Sequence, residues 1–483
     1  MAAGSTSSSS SWGSHQRTSG RSSGARPIPP MPDDAPKKSR IRPVVSAALP
    51  SGELLEMVYD PTALETGFIL DDGAAWRAEK RVELSGVTLV PYSPANNLLT
   101  HRVVLFPSAP GEYGSEEDLF RDVRRFIHRY VDLSDSFEEV AAAYVLFSWV
   151  YDAFNEVPYL RVRGDYGSGK SRFLLTVGSL CYKPIFASGA STVSPIFRIL
   201  DAVQGTLVID EGDFRASDEK AEIVKILNNG NARGFPVLRS EQTPTKEFNP
   251  RAFHVFGPKL VATRNLFDDR ALESRCLSED MGTRPLRAGI PINLPESFEE
   301  EARELRNKLL LYRLRTRSSR RPLAEASVPA GLEPRLSQIL LPLLATVPSE
   351  ETRARLLSLA RRSGQVLSAE RAMAIEAEVL AVLYELRQEN MPLSVAEITK
   401  RFADRHGAEY QHVVTPRWIG SVLRRKLMLN PQKRGGTFVI PASEYPKLVR
   451  LFEKYSVPGE RQDIGDVGEI PRVEEDGTPS VAA

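Results

Sequence analysis

One octapeptide limits what this chain can fold into more than its size does: Gly164-Asp-Tyr-Gly-Ser-Gly-Lys-Ser171. Its spacing, Gly164-x-x-x-x-Gly169-Lys170-Ser171, is that of a phosphate loop. Glycines let successive backbone N–H groups curl around phosphate oxygens, and the N-terminus of the following helix adds its positive dipole. The candidate nucleotide contacts are therefore Gly164, Asp165, Tyr166, Gly167, Ser168, Gly169, Lys170, Ser171 and Arg172. Lys170 has the reach and charge for the β- and γ-phosphates, and the Ser171 hydroxyl suits a Mg2+ shell. The pattern needs a strand before it and a helix after it. Tyr159–Arg163 alternates and is β-capable, and Arg172–Leu180 reads as a helix.

A second motif follows about forty residues on, in Thr206-Leu-Val-Ile-Asp210-Glu211. An apolar run ending in two acids puts carboxylates at the C-terminal tip of a buried parallel strand, where open α/β sheets bind ligands. Asp210 is the candidate Mg2+ holder, and Glu211 the residue that orients the attacking water. Together the motifs imply an ATP-binding enzyme that hydrolyses ATP with Mg2+.

The 483 residues leave room for two to four domains, and 41% hydrophobic content supports real cores. Two distant cysteines, Cys181 and Cys276, imply neither a disulfide framework nor a metal site, and fit buried thiols in a reducing, cytoplasmic setting. No apolar run approaches a membrane span, and the Ser-rich start lacks an apolar signal core. The net charge of +1 is spread too unevenly to name a partner.

In chain order, residues 1–48 read as a disordered Ser/Arg/Pro-rich tail and 49–112 as a small β-rich domain. Residues 113–156 form a helical lead-in whose second helix is apolar nearly all round. The core, 157–295, runs strand, phosphate loop, helix, strand, helix, acidic strand, helix, strand. That order predicts an α/β fold, a parallel sheet with helices on both faces. Residues 296–372 are helical and carry a basic run, Arg313 to Arg321, that fits either phosphate contact or a solvated helix end. Residues 457–483 read as an acidic disordered tail.

Taken together, these residues resemble the AAA+ ATPases, most closely the helicase modules of phage, plasmid and integrated-element replication proteins near superfamily 3. The likeness rests on the two motifs above and on Ile226-Leu-Asn-Asn-Gly-Asn-Ala-Arg-Gly234, Val255-Phe-Gly-Pro-Lys-Leu-Val-Ala262 and Asp269-Arg-Ala-Leu-Glu-Ser-Arg-Cys276. The resemblance implies a polar sensor at the tip of the strand ending at Thr263, with Thr263 and Asn265 as candidates and Arg264 displacing the usual Asn. It implies an arginine finger reaching a neighbouring subunit, Arg275 with Arg270 as runner-up, and hence a homo-oligomeric ring, a hexamer. It implies that Arg233 and Arg239 flank a hairpin lining a pore for single-stranded DNA, with an ordinary solvated hairpin as the plain alternative.

Residues 373–456 look like a winged helix. A capping box at Ser394-Val-Ala-Glu397 opens one helix, Thr415-Pro416 opens the next, and Lys433 to Ile440 folds back at Gly435-Gly436. Arg417, Arg424 and Arg425 fall on the outer helix face, and Lys433 and Arg434 on the hairpin, as candidate duplex DNA contacts. The expected function is an ATP-driven DNA motor, a replicative helicase of a mobile element. A non-translocating initiator or helicase loader and a protein-remodelling ATPase stand as alternatives.

Overall fold

Among the described residues, the first strand begins at Arg40. The structure is a computed structural model that describes residues 40–188, 191–210, 218–242, 248–267, 269–320, 334–372, 375–406, 413–455 and 457. The expected tails at 1–39 and 458–483, Glu211 and the end of the basic run at Arg321 lie outside the described residues.

Seven short strands come first: β1 (Arg40–Pro43), β2 (Ser46–Ala48), β3 (Leu54–Asp60), β4 (Glu65–Asp71), β5 (Trp76–Glu79), β6 (Val82–Leu84) and β7 (Val87–Val90). They form an antiparallel sheet β2-β3-β4-β5 and a second sheet β1-β7-β6, in which β1 runs parallel to β7. Residues 40–48 were expected in the tail. They are strands because Val45 buries its side chain, and its carbonyl accepts the Met57 N–H at 2.9 Å.

A short α1 (Asn97–Thr100) leads to α2 (Glu116–Tyr130) and α3 (Asp135–Ser148). Ser115 and Asp118 close a capping box on α2. As its sequence predicts, α3 is buried on every side from Phe137 to Ser148. The two acids this puts inside, Glu138 and Glu139, are paired with His128 Nδ1 (2.8 Å) and with Arg124 and Arg355 (3.1 and 2.8 Å). A buried charge left unpaired would cost several kcal/mol, roughly.

Next come β8 (Tyr159–Arg163), α4 (Lys170–Gly178), β9 (Ile185–Ala187), α5 (Val193–Val203), β10 (Leu207–Ile209), α6 (Asp218–Asn229), β11 (Val237–Gln242), β12 (Phe248–Phe253), β13 (Lys259–Thr263), α7 (Arg270–Glu273) and β14 (Cys276–Asp280). Five of the strands make a parallel sheet in the order β14-β8-β13-β10-β9. The two motif strands, β8 and β10, therefore lie one strand apart with β13 between them. β11 and β12 pair separately as an antiparallel hairpin between α6 and β13, as the sequence predicts; its tip, 243–247, lies outside the described residues.

Helices α8 (Ser297–Thr316), α9 (Pro334–Leu344) and α10 (Glu350–Ala372) pack into the same hydrophobic core as the parallel sheet and the N-terminal strands. The four described arginines of the basic run each meet a carboxylate, although Arg315 stays exposed. Arg313 is buried and grips Asp152 with both terminal nitrogens (2.9 and 3.0 Å) and Glu56 on β3 through Nε (2.8 Å). Arg315 pairs with Glu112, Arg317 with Asp152 and Arg320 with Glu116. Lys183 Nζ completes the cluster, 3.2 Å from Glu56 and 2.6 Å from Ser46 Oγ on β2.

The remaining elements have a core of their own: α11 (Ile375–Gln388), α12 (Val395–His406), α13 (Pro416–Ser421) with a π-helical extension Val422–Lys426, β15 (Gln432–Arg434), β16 (Thr437–Val439) and α14 (Tyr445–Lys454). Thr415 caps α13 by accepting from Trp418 N. Gly435 and Gly436 have φ of +54° and +84°, which a two-residue turn between β15 and β16 demands.

Candidate nucleotide-binding site

Because the sheet is parallel, the C-terminal ends of β8, β13 and β10 open on one edge, and the predicted residues meet there. Gly164 leaves β8 where no side chain fits: a Cβ would lie 2.6 Å from Ser168 Oγ and 2.7 Å from Met281 O. Gly169, with φ +90°, occupies the N-cap of α4. Lys170 Nζ donates to the carbonyls of Gly164 (2.8 Å) and Asp165 (2.7 Å), folded back across the loop. Ser171 Oγ donates to Asp210 Oδ2 at 2.8 Å, which joins the two sequence motifs across 39 residues.

Thr263 ends β13 beside Arg163, and its carbonyl accepts the Gly164 N–H at 3.2 Å. Its hydroxyl is buried without a hydrogen-bond partner, as is that of Ser168. A buried orphan hydroxyl costs about 1–3 kcal/mol, so these two point to a ligand that would satisfy them. Asn265 lies beyond the strand end and is exposed. Arg264, between them, stacks its guanidinium 3.9 Å from the ring centroid of Tyr166, which is 74% exposed above the loop.

A cavity of about 830 Å³ opens beside Gly167, Ser168 and Gly169. Val131 and Met281 give it apolar walls, and the segment Leu286–Ile292 forms its outer rim. Arg172 holds that rim in place. Its guanidinium donates to the carbonyls of Pro291 (2.9 Å) and Ile292 (2.6 Å), and more weakly to Tyr130 (3.4 Å). The side chain predicted to meet nucleotide is thus committed to main chain. Asp132 secures the same segment from beneath, accepting from Arg284 and from Arg287 N. No sequence signal marked this rim, because it is irregular backbone held by carbonyls.

Arg275 points inward. It is buried, donating from Nε to Asn231 Oδ1 (2.8 Å) and from one terminal nitrogen to Asn228 Oδ1 (2.7 Å) and Ala271 O (2.5 Å). A guanidinium held this way ties α6 to the base of β14 within one subunit, and would have to break all three bonds to reach another. Arg270, its runner-up, opens α7. We expect Arg275→Ala to lower unfolding stability by about 1–3 kcal/mol, because the amide oxygens of buried Asn231 and half-buried Asn228 lose their donor. Urea denaturation at neutral pH reads this directly; a midpoint equal to wild type rules out the anchor.

Arg233 precedes the hairpin and Arg239 lies within its first strand, β11, so the two do not flank it, and both are engaged. Arg233 donates to Phe154 O (2.8 Å) and Asp152 O (2.5 Å) and stacks on Phe256. Arg239 pairs through two nitrogens with Glu222, 2.9 Å each. Phe235 and Leu238 nearby are each 66% exposed. In the C-terminal unit Arg417, Arg425, Lys433 and Arg434 are exposed. Arg424 is drawn back over the Phe438 ring at 5.5 Å, linking the last helix turn to the hairpin.

No protein-family model matches the chain, and no curated protein matches it. Among solved structures, it is similar to the C-terminal region of NrS-1 in its A-form apo structure (11% identity, TM-score 0.33, 80% of this chain and 96% of that one). It is also similar to the active helicase Cch of SCCmec type IV (12% identity, TM-score 0.37, 84% and 80% covered). A third likeness is to the Aeropyrum pernix ORC1 protein in complex with DNA (14% identity, TM-score 0.20, 70% and 97% covered). Scores this low decide neither family nor activity. Among the described residues, no helix is long and apolar enough to cross a membrane.

Proposed function

We propose that this chain is a Mg2+-dependent ATPase of the AAA+ type that drives work on DNA. The observation that carries the nucleotide part is the 2.8 Å bond from Ser171 Oγ to Asp210 Oδ2 at the open edge of the sheet. Two hard oxygen donors from the two motifs already touch, which is the donor set a Mg2+ ion takes. The orphan hydroxyls of Ser168 and Thr263 add donors that a ligand or an ordered water would use.

In this reading the loop amides from Asp165 to Arg172 receive the phosphates. Lys170 exchanges its two carbonyl bonds for phosphate oxygens, a change that needs no movement of the backbone. The base and ribose enter the cavity beside Gly167, against Val131 and Met281. Thr263 is the better sensor candidate of the two, since its hydroxyl is buried at the strand end without a hydrogen-bond partner while Asn265 is exposed. Mg2+, held by Ser171 and Asp210, supplies neutralisation of the charge that develops on the transferred phosphoryl group. Glu211, next in sequence, is the proposed water-orienting base.

The DNA part rests on the hairpin β11–β12 and on the C-terminal unit. Three helices, a bridge from Ser394 to Val439 and a two-stranded hairpin match a winged helix, with exposed Arg417, Arg425, Lys433 and Arg434 as its phosphate contacts and Arg424 as the link between helix and wing. A helical lid formed by α8–α10 and assembly into a ring belong to the same reading.

The deciding experiment measures ATP turnover of the purified chain with and without single-stranded DNA, then with duplex. We expect single strands to raise turnover several-fold and strand displacement to accompany it. Turnover indifferent to every nucleic acid removes the DNA motor and leaves a protein-remodelling ATPase. Stimulation by one duplex sequence alone selects an initiator.

A further inference from the structure

A second cavity, of about 440 Å³, lies where α8 meets the turn between β3 and β4. Its walls are largely apolar: Tyr59 and Leu64 beside that turn, Leu99 from α1, and Val104, Leu105 and Phe106 from the segment that follows. A concave apolar wall with a few polar groups is the usual form of a small-molecule site.

The polar group that stands out is Arg306 of α8, which lines the cavity while remaining only 4% exposed. Its Nε donates to Phe106 O (3.3 Å), and Nη1 donates to Ser179 O (2.8 Å), the C-cap of the phosphate-loop helix α4. Two of five guanidinium N–H groups are thereby used. Among the described residues, Nη2 has no hydrogen-bond partner, and no carboxylate lies within ion-pairing distance of the group. The two acids that line the same cavity are already held: Glu299 by Arg102, and Glu300 by Arg303. Arg303 also lies 3.7 Å from Asp60 Oδ1 and 3.5 Å from Thr62 Oγ1. Burial pushes the Arg306 guanidinium down to about 10; Glu299 opposes this, and Arg102 and Arg303 reinforce it. The group is therefore charged at neutral pH but poorly hydrated. A buried cation without a carboxylate is costly, and Nη2 together with the second N–H of Nη1 presents the planar fork that grips a carboxylate.

The mouth carries a separate mark. Leu64 and Arg102, both in the cavity wall, have φ of +53° and +56°. Left-handed backbone is rare for leucine, and such outliers gather at ligand clamps. Leu64 is also 63% exposed, so little inside the fold offsets that strain. The apolar body of a ligand would cover it.

We propose that this cavity binds a small amphipathic anion, with a carboxylate gripped by Arg306 and an apolar chain lying against Leu64, Leu99 and Phe106. The site is separate from the nucleotide cavity and stands independently of the DNA-acting reading.

Ligand-observed NMR titration of the full chain tests this with hexanoate, and with 1-hexanol as the same apolar chain without the charge. Wild type is expected to bind hexanoate about tenfold more tightly than 1-hexanol, and Arg306→Met to abolish that preference. Because Arg306 also holds two carbonyls, a second pair of variants keeps it in place. Aspartate and asparagine both accept left-handed backbone, so Leu64→Asp and Leu64→Asn retain the turn. Leu64→Asn removes apolar contact and is expected to weaken both probes equally. Leu64→Asp adds a negative charge at the mouth and is expected to weaken hexanoate about threefold more than 1-hexanol, a selectivity that misfolding cannot imitate. Wild type that binds neither probe, or binds both equally, overturns the proposal. Hexanoate affinity unmoved by Arg306→Met and by Leu64→Asp places the binding elsewhere and overturns the site.

Discussion

Replacing Lys170 by alanine is expected to reduce ATP turnover by about 10²–10³-fold or more, with the fold intact. The size follows from removing a fixed cation where negative charge grows in the transition state. The structure separates this effect from stability. Among the described residues, Lys170 Nζ bonds to the loop carbonyls of Gly164 and Asp165, at the open edge of the sheet. When the side chain is cut back, water can take up both carbonyls, so the melting temperature stays near that of wild type. Binding divides in the same way. A lysine that reaches the β- and γ-phosphates affects the triphosphate more than the diphosphate, so fluorescent ATP analogues lose more affinity than ADP analogues. Equal losses for the two would mean that Lys170 reaches no further than the β-phosphate. Asp210→Asn offers an independent check, because it keeps an acceptor for Ser171 but removes the charge. We expect its turnover to need far more Mg2+ for half-maximal rate.

What the sequence disclosed and what it withheld divide along a physical line. β8, the phosphate loop, α4 and β10 were legible because local spacing alone specifies them: glycines where the backbone must curl, an apolar run where a strand is buried. The three C-terminal helices and their hairpin were legible for the same reason, through the Thr415 cap and Gly435-Gly436. Partner identity was not legible. Arg172, Arg275 and Arg313 have the same side chain and similar charged neighbours in sequence. One fastens the cavity rim, one ties α6 to β14, and one lies buried between Glu56 and Asp152. Periodicity records that a residue is buried or exposed. It does not record which distant carboxylate or carbonyl it meets, and a guanidinium with five donors fits many. Strands β1 and β2 were missed because their pairing with β7 and β3 is supplied by chain far from them.

Arg313→Leu is expected to cost about 3–5 kcal/mol of stability, because it takes one guanidinium from both buried Glu56 and half-buried Asp152. The groups involved come from distant parts of the chain: Glu56 from β3, Asp152 from the approach to β8, Lys183 from the turn before β9 and Arg313 from α8. Burial pushes the Glu56 carboxyl up, but Lys183 and Arg313 together outweigh it and hold its pKa below the ordinary 4.5. Asp152 is likewise held well below the carboxylate range: burial opposes, and Arg313 and Arg317 prevail. Both carboxylates therefore release protons more readily folded than unfolded. Their contribution is present above about pH 4.5 and is lost as pH falls through the lower folded values. Lys183 moves the other way, pushed down by burial to about 8 although Glu56 lifts it, since Arg313 shares that carboxylate. Its folded value lies below its ordinary one, so the unfolded chain binds more protons between about pH 8 and 10.5, and stability rises with pH across that window. Removing Arg313 weakens this hold, although Lys183 still faces Glu56 and Arg317 still faces Asp152. Both carboxylates then gain less from being ionised in the fold, so the deficit of Arg313→Leu against wild type is largest near pH 7 and shrinks toward pH 4. Denaturation midpoints across that range measure it, and a deficit independent of pH would mean that packing, not charge, is lost. Hydrogen exchange locates the damage: amides of β2 and β3 lose protection first, because Glu56 and Ser46 are the points where the N-terminal sheet meets this cluster.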